Sequence, residues 1–379
     1  MCSFELKVNL AGWYLAWIYH YGLNIGKITG EELKKYLETD SDGCEFKQCG
    51  FLKIINEAID TKGWVDIEDT YYMMLKSIMQ DQVAGGFDYF GHPEKLNDEL
   101  SALTKYLIEY LKEIQNNGSP KKNDSISKIF YGPILQKDIS VSGQAEYYKY
   151  ILRNLQLPSS EIKEYNNRYY GYYNAGDIRE LEEFAKSKFE DSIALKKIMH
   201  DPILCENLSF PDRVFILNFN YTNTENLYTS GKYRVDIVHI HGELDDPERV
   251  IFGYGDELDK EYRNMQEKNE NEYLKKIKSI RYMESDNYRK LFSFIESDYY
   301  QIYILGHSCG NSDRTLLNTL FEHRNCVSIK PYYYQYGGRD NYLNIIENIS
   351  RNFTDMQRMR DIVVNKTFCQ AMPQNDSNN

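Results

Sequence analysis

Val214-Phe215-Ile216-Leu217-Asn218-Phe219-Asn220-Tyr221-Thr222-Asn223-Thr224-Glu225 is the stretch that decides the fold. It starts as a short apolar run with no polar face and ends in a string of Asn and Thr. A run apolar on both sides suits a strand buried in a parallel sheet with helices over both faces. The polar string suits the turn after it. In strand geometry Asn218 and Asn220 share a side while Phe219 points away. In open α/β sheets, ligands bind beyond the carboxyl ends of such strands. Asn218, Asn220 and Thr222 are therefore candidate binding residues. A plainer reading stands beside this one: Thr222 with Glu225 matches a capping box, so these side chains close a turn and cap a helix.

Outward from this stretch, similar runs recur at 235–240 (VDIVHI), 250–252, 302–305 (IYIL) and 327–334. Each has strand length, and several are followed by Gly or Asn. The run at 235–240 continues as His239-Ile240-His241-Gly242, with both histidines expected on one face. A histidine there can serve as a general base near neutral pH. The pair can equally begin a metal site with Asp256, His307 or Asp313, or sit satisfied in a turn. The run at 302–305 leads into Gly306-His307-Ser308-Cys309-Gly310-Asn311-Ser312-Asp313. Backbone N–H groups in such a turn can hold phosphate or ribose oxygens, which makes Gly306, Ser308 and Asp313 candidates. Its plainer reading is a glycine turn with Asp313 as helix N-cap. The segment 252–256 (FGYGD) is a weaker version of the same pattern.

The first half reads as helical. Ile67, Tyr71, Met74, Leu75 and Ile78, with Trp64 ahead, recur at helical spacing. So do Leu96, Leu100, Leu103, Leu107, Leu111 and Ile114 behind Pro93, which suits a first turn. Ile28, Leu33 and Tyr36 begin a weaker helix. The apolar segment 10–21 reads as a buried helix, since it has no basic start and no cleavage site. Residues 116–125 and 165–176 read as loops, and a helix follows Asp177. Residues 262–295 read as a charged helical insertion over the sheet with Leu274, Ile277 and Ile280 as its apolar edge. The expected division is a mainly helical region at 1–205 and a parallel-sheet α/β core at 206–345. A helical insertion at about 258–297 interrupts that core, and a C-terminal helix with a polar tail fills 346–379.

Composition limits the function. The chain has 379 residues, a net charge of −12 and 42% hydrophobic residues, enough for a sizeable core. The acidic balance argues against gripping nucleic-acid phosphates. Seven scattered cysteines suit a reducing compartment rather than a disulfide framework. No segment reaches the ~18 apolar residues of a membrane span, so a cytoplasmic location is expected. Thirty-four tyrosines accompany abundant Asn, Lys and Ile and reflect codon bias.

The order N-F-N-Y-T-N-T-E, H-I-H-G, F-G-Y-G-D, G-H-S-x-G-x-x-D, with Trp64-Val65-Asp66-Ile67-Glu68 upstream, resembles the AbiH family of bacteriophage abortive-infection proteins. The resemblance covers roughly 64–334. It implies a phage-defence role and a sirtuin-like variant of the dinucleotide-binding fold, with a phage-derived trigger and a small-molecule nucleotide as partners. By analogy with sirtuin-like enzymes, Asn220 and His241 would be catalytic and NAD the substrate of a hydrolysis, with no metal. Asn218, Thr222, Gly306, Ser308 and Asp313 would line the nucleotide. The family's opening strand and G-N-G-F-D loop have no counterpart ahead of Trp64; 84–88 (AGGFD) resembles the loop in letters but follows the W-x-D-x-E segment. The start of the chain therefore reads as truncated or diverged, and whether the true start lies upstream of Met1 stays open. Two other readings stay open: a metal-dependent hydrolase using His239 and His241, and a sensing protein with a degenerate site. A homo-oligomer is compatible with all three.

Overall fold

A computed structural model describes residues 67–80, 92–118, 120–155, 209, 211–229 and 235–374. The readings at 10–21, 28–36, 84–88 and 165–185, and Trp64 with Asp66, lie outside these residues.

Helix α1 is Ile67–Met79, with Glu68 and Asp69 in its first turn and Lys76 in its last, the arrangement the helix dipole favours. Tyr71, Tyr72, Met74, Leu75 and Ile78 are buried. Helix α2, Pro93–Asn117, opens on its proline. Leu96, Leu100, Leu103 and Leu107 are buried along one face, as their spacing predicts. After the turn come α3 (Asp124–Phe130), capped by the Asn123 side chain on Ser125 N at 2.9 Å, and α4 (Gln144–Leu155).

The apolar runs form β1 (Val214–Asn218), β2 (Val235–His239), β3 (Tyr300–Leu305) and β4 (Cys326–Tyr332). β1 pairs in parallel with β2 from Val214↔Val235 to Asn218↔His239, and β3 pairs in parallel with β4. Phe219, just past β1, lies 4.1 Å ring to ring from His307, just past β3. At the other end Arg153 bridges Asp212 and Asp298, just ahead of β1 and β3. The two pairs therefore run side by side in one direction, and their carboxyl ends share a rim.

The run at 250–252 is not a strand. Ile251 N bonds His241 O at 2.8 Å, and Tyr254 N bonds Lys276 O at 3.1 Å, so its backbone is satisfied by separate loops rather than by a neighbouring strand. Gly253 permits that approach, because a Cβ there would sit 2.0 Å from Lys276 O.

The insertion is not one helix. It holds α5 (Lys260–Glu267), α6 (Lys278–Arg281) and α7 (Asn287–Ser297), joined by 3-10 turns. Asn269, at φ 55°, stops α5 in the left-handed conformation that ends many helices. Ile277 is buried, but Ile280, expected beside it, is 41% exposed. Tyr262, Met265, Tyr273 and Ile277 pack in one core with α1 and α2, so the insertion and these helices share an interior. A second core joins β2, β3 and β4 to α7, to α8 (Arg314–Glu322), and to α9 (Tyr342–Arg351) and α10 (Met356–Ile362).

Candidate functional site

The end of β1 is built by Asn218. Its Oδ1 accepts the Asn220 N–H at 2.8 Å, and its Nδ2 donates to Glu225 Oε2 at 2.7 Å and to Thr222 O at 3.2 Å. Asn218 is thus buried inside its own turn. The capping box expected of Thr222 and Glu225 does not form. Residues Thr224–Leu227 make a 3-10 turn with no side-chain cap, Thr222 Oγ1 lies 3.2 Å from Thr224 Oγ1, and Glu225 turns inward. The cause is His239, whose Nε2 meets Glu225 Oε1 at 3.0 Å and whose Nδ1 meets Asn220 O at 3.0 Å. With an acceptor at each ring nitrogen, His239 is held as an imidazolium. Burial opposes that charge, but the Glu225 hydrogen bond and carboxylate outweigh it and raise its pKa. Both ring nitrogens are engaged by Glu225 and Asn220, so neither is turned toward a ligand.

His241 does not share that environment. Gly242, at φ +85°, turns the chain within a residue of His241, and a Cβ on it would meet Arg249 O at 2.5 Å. The strand alternation that would align the two histidines ends there. His241 Nε2 points instead at Asp313 Oδ1, 3.1 Å away, with Tyr282 OH at 3.3 Å. It is 4% exposed; burial first and the Lys278 charge second lower its pKa, so it is neutral and donates to Asp313.

Asp313 gathers the network. It opens α8 without capping it, because its carboxylate turns inward. Oδ1 also accepts from Lys278 Nζ at 2.9 Å, and Oδ2 faces His307 Nε2 at 3.6 Å. Burial would raise its pKa, but Lys278 and His241 hold it well below the usual carboxylate range, so Asp313 is an anion. Lys278 is 1% exposed and also bonds Glu68 Oε2 at 2.8 Å. Its pKa is raised: burial disfavours the charge, and Asp313 and Glu68 more than offset that. Glu68 Oε1 in turn takes the Gly253 N–H at 3.0 Å. The chain from α1 through α6 to the start of α8 is thus tied by buried charge.

His307 is the member of this network that reaches open space. Its Nδ1 accepts the Cys309 N–H at 3.0 Å, which puts its proton on Nε2, toward Asp313. Its side chain is 19% exposed and lines the cavity between β1 and β3, as Asn220 does. The Asn220 side chain makes no hydrogen bond among the described residues; only its backbone is engaged. Gly306, at φ +70°, and Cys309, at φ 57°, shape the loop that carries Ser308. Asn348 of α9 and Asn352, at the C-cap of that helix, clamp it through Ser308 O and Cys309 O at 2.8 and 2.9 Å. The Cys309 thiol is buried, and burial raises its pKa far above the ordinary value.

The predicted residues thus separate into groups. Asn220 and His307 share the cavity mouth with Phe219, while His241 and Asp313 lie behind His307. Asn218 and Thr222 belong to the turn of β1. Lys278 and Tyr282 were missed, because a lysine and a tyrosine in a charged run carry no mark of burial. The signal for Glu68 lay in Trp64-Val65-Asp66-Ile67-Glu68. Among the described residues no group of His, Cys, Asp or Glu is placed to hold a metal ion, and the H-x-H pair in particular diverges.

The family model described as bacteriophage abortive infection AbiH matches residues 4–335. The chain belongs to this family. Its role is accordingly in bacteriophage abortive infection, and the motifs that form the rim and its network fall within the match. No curated protein and no solved structure matches the chain. Among the described residues of this AbiH member, no helix is long and apolar enough to cross a membrane.

Proposed function

We propose that this AbiH protein acts in abortive infection by binding NAD at the rim and hydrolysing its bond to nicotinamide, on a sirtuin-like sheet. One observation carries the reading: an uncommitted amide (Asn220) and a half-open imidazole (His307) share the mouth, with an ionised carboxylate (Asp313) behind them. Asn220 would orient the ribose through its hydroxyls. The C1′–N bond breaks with its electron pair leaving on nicotinamide, and positive charge develops on the ribose. The fixed negative charge of Asp313 favours that change, and more strongly where water is excluded. Water adds to C1′ and gives its proton to His307, whose Nδ1 must first release the Cys309 N–H. The imidazolium so formed has Asp313 Oδ2 3.6 Å from its Nε2 as counter-ion. The proton-accepting role expected of His241 passes to His307 in this reading. His241 and Lys278 position Asp313.

The fit to NAD is strongest at the ribose. For the diphosphate, Gly306 and Ser308 offer a turn, but Asp313 sets a negative charge at the start of α8, and Lys278 is engaged by Glu68 and Asp313. That feature favours a second reading, in which the rim binds a nucleoside as a signal without cleaving it. Chromatography of NAD incubated with the full chain separates the two. Release of nicotinamide and ADP-ribose by the wild type, lost in Asn220→Ala and His307→Ala with unchanged thermal stability, is expected. Adenosine binding without any release leaves the sensing role, and neither binding nor release sinks both.

A further inference from the structure

The Ser308–Cys309 peptide is one rigid planar unit, and in a trans unit the carbonyl oxygen and the N–H point in opposite directions. The two ends of this unit have different partners. Ser308 O accepts from Asn348 Nδ2 at 2.8 Å, and Cys309 N donates to His307 Nδ1 at 3.0 Å. Holding the oxygen toward α9 therefore aims the N–H at the imidazole. The next peptide unit is held by the end of the same helix, since Asn352 Nδ2 donates to Cys309 O at 2.9 Å. Cys309 has little freedom between the two. Its side chain is buried in the second core, and its φ of 57° is one that few residues other than glycine, asparagine and aspartate adopt. Asn352 bears a further cost: it is fully buried, and its Oδ1 finds no hydrogen-bond partner among the described residues. Strain and an idle acceptor at one loop mark a geometry that the surrounding contacts enforce.

Asn348 is itself oriented. An amide can present its oxygen or its nitrogen, and the Asn348 oxygen is taken by the Arg351 guanidinium further along α9, which leaves the NH2 for Ser308. Arg351 is exposed and Asn348 is partly buried. A line of contacts thus runs from the surface through Asn348 and the peptide to His307. At the far side of that ring, Nε2 faces Asp313 Oδ2 at 3.6 Å. Which imidazole nitrogen carries the proton is set by the bond that the other one makes. Here Nδ1 is made an acceptor, so the proton lies on Nε2.

We propose that Asn348 is a positioning residue for His307: through the Ser308–Cys309 peptide it keeps the His307 lone pair on Nδ1 and the proton on Nε2, toward Asp313. Asn348 does not line the cavity and acts only through this peptide. Its part in catalysis rests on the NAD reading, in which Nδ1 takes the proton from water once it lets go of the Cys309 N–H. A reversed peptide would turn Ser308 O toward Nδ1 and draw the ring proton there. The lone pair left on Nε2 would then face the Asp313 carboxylate, and no base would be presented to the rim.

Asn348→Asp in the full chain tests this, because it keeps the shape of the side chain and sets an acceptor against Ser308 O. Nitrogen NMR of the isotope-labelled protein, at a pH where His307 is neutral, reads which ring nitrogen is protonated. The wild type is expected to hold the proton on Nε2 by about tenfold or more, and Asn348→Asp to lower that ratio about tenfold. Asn348→Ala removes the donor without adding an acceptor. It gives a smaller change of the same sign, and it decides the matter if the Asp variant does not fold. Nicotinamide release by Asn348→Asp is expected to fall about tenfold or more in kcat with KM unchanged, since no contact to substrate is lost. An unchanged proton ratio in a folded variant, or a wild type protonated mainly on Nδ1, overturns the proposal. A wild type that releases no nicotinamide counts against the NAD reading, and the proton ratio still decides whether Asn348 sets His307.

Discussion

Replacing Lys278 by Met tests the buried network at its centre. The side chains are close in volume, so the change removes charge rather than packing. The cation is 1% exposed and serves Glu68 and Asp313 at 2.8 and 2.9 Å. Removing one partner of such a buried cluster costs about 3–5 kcal/mol, because the remaining charge is left desolvated. A melting temperature lower by on the order of 10 °C follows. His241 gives the effect a pH signature. Its pKa is lowered by burial and by the Lys278 charge, so without Lys278 it rises, and His241 can take a proton and serve as the cation for Asp313. A histidine with a raised folded pKa stabilises at low pH and loses that contribution as pH rises through the folded value. The Lys278→Met protein is therefore expected to lose more stability at pH 8 than at pH 5.5, read by urea unfolding. Adding Asp313→Asn to Lys278→Met should recover part of the loss. A loss below about 1 kcal/mol, or a double variant no more stable than the single, would refute this reasoning.

Other expectations follow from neighbouring contacts. Asn218→Ala removes an acceptor for Asn220 N–H and a donor to Glu225, and is expected to cost about 2–3 kcal/mol in chemical unfolding. Gly253→Ala sets a methyl 2.0 Å from Lys276 O and should cost about 3 kcal/mol or more. Gly310→Ala, with Ser308 Oγ at 3.6 Å as its contact, should stay within about 0.5 kcal/mol. Because the His239 pKa is raised in the folded protein, its pairing with Glu225 stabilises below the unfolded value near 6.5 and fades as pH rises through the folded one. The stability gap between wild type and Glu225→Gln, measured across pH 5 to 9, should narrow in that direction.

The four long strands and α2 were legible in the sequence, because apolar runs and a leucine spacing survive any tertiary context. The run at 250–252 misled, since burial alone marks a residue as apolar, and only the partners of its backbone decide whether it is a strand. At the site, the sequence singled out loops that meet at the rim but not the contacts each residue makes there. Asn218 and Asn220 look alike on paper, yet one is enclosed by Thr222 and Glu225 while the other faces the cavity. His239 and His241 look like a pair, yet the glycine that follows sends them into separate networks. Lys278 sits in a charged stretch that reads as solvated, and only the meeting of α1, α6 and α8 buries it.

The most direct test of the central claim follows the imidazole protons by NMR while ADP-ribose is added to the full chain. The His307 ring signals are expected to shift in a saturable way, while those of His239, closed in by Glu225 and Asn220, stay in place. Unmoved His307 signals at saturating ligand, or an equal response from His239, would contradict it.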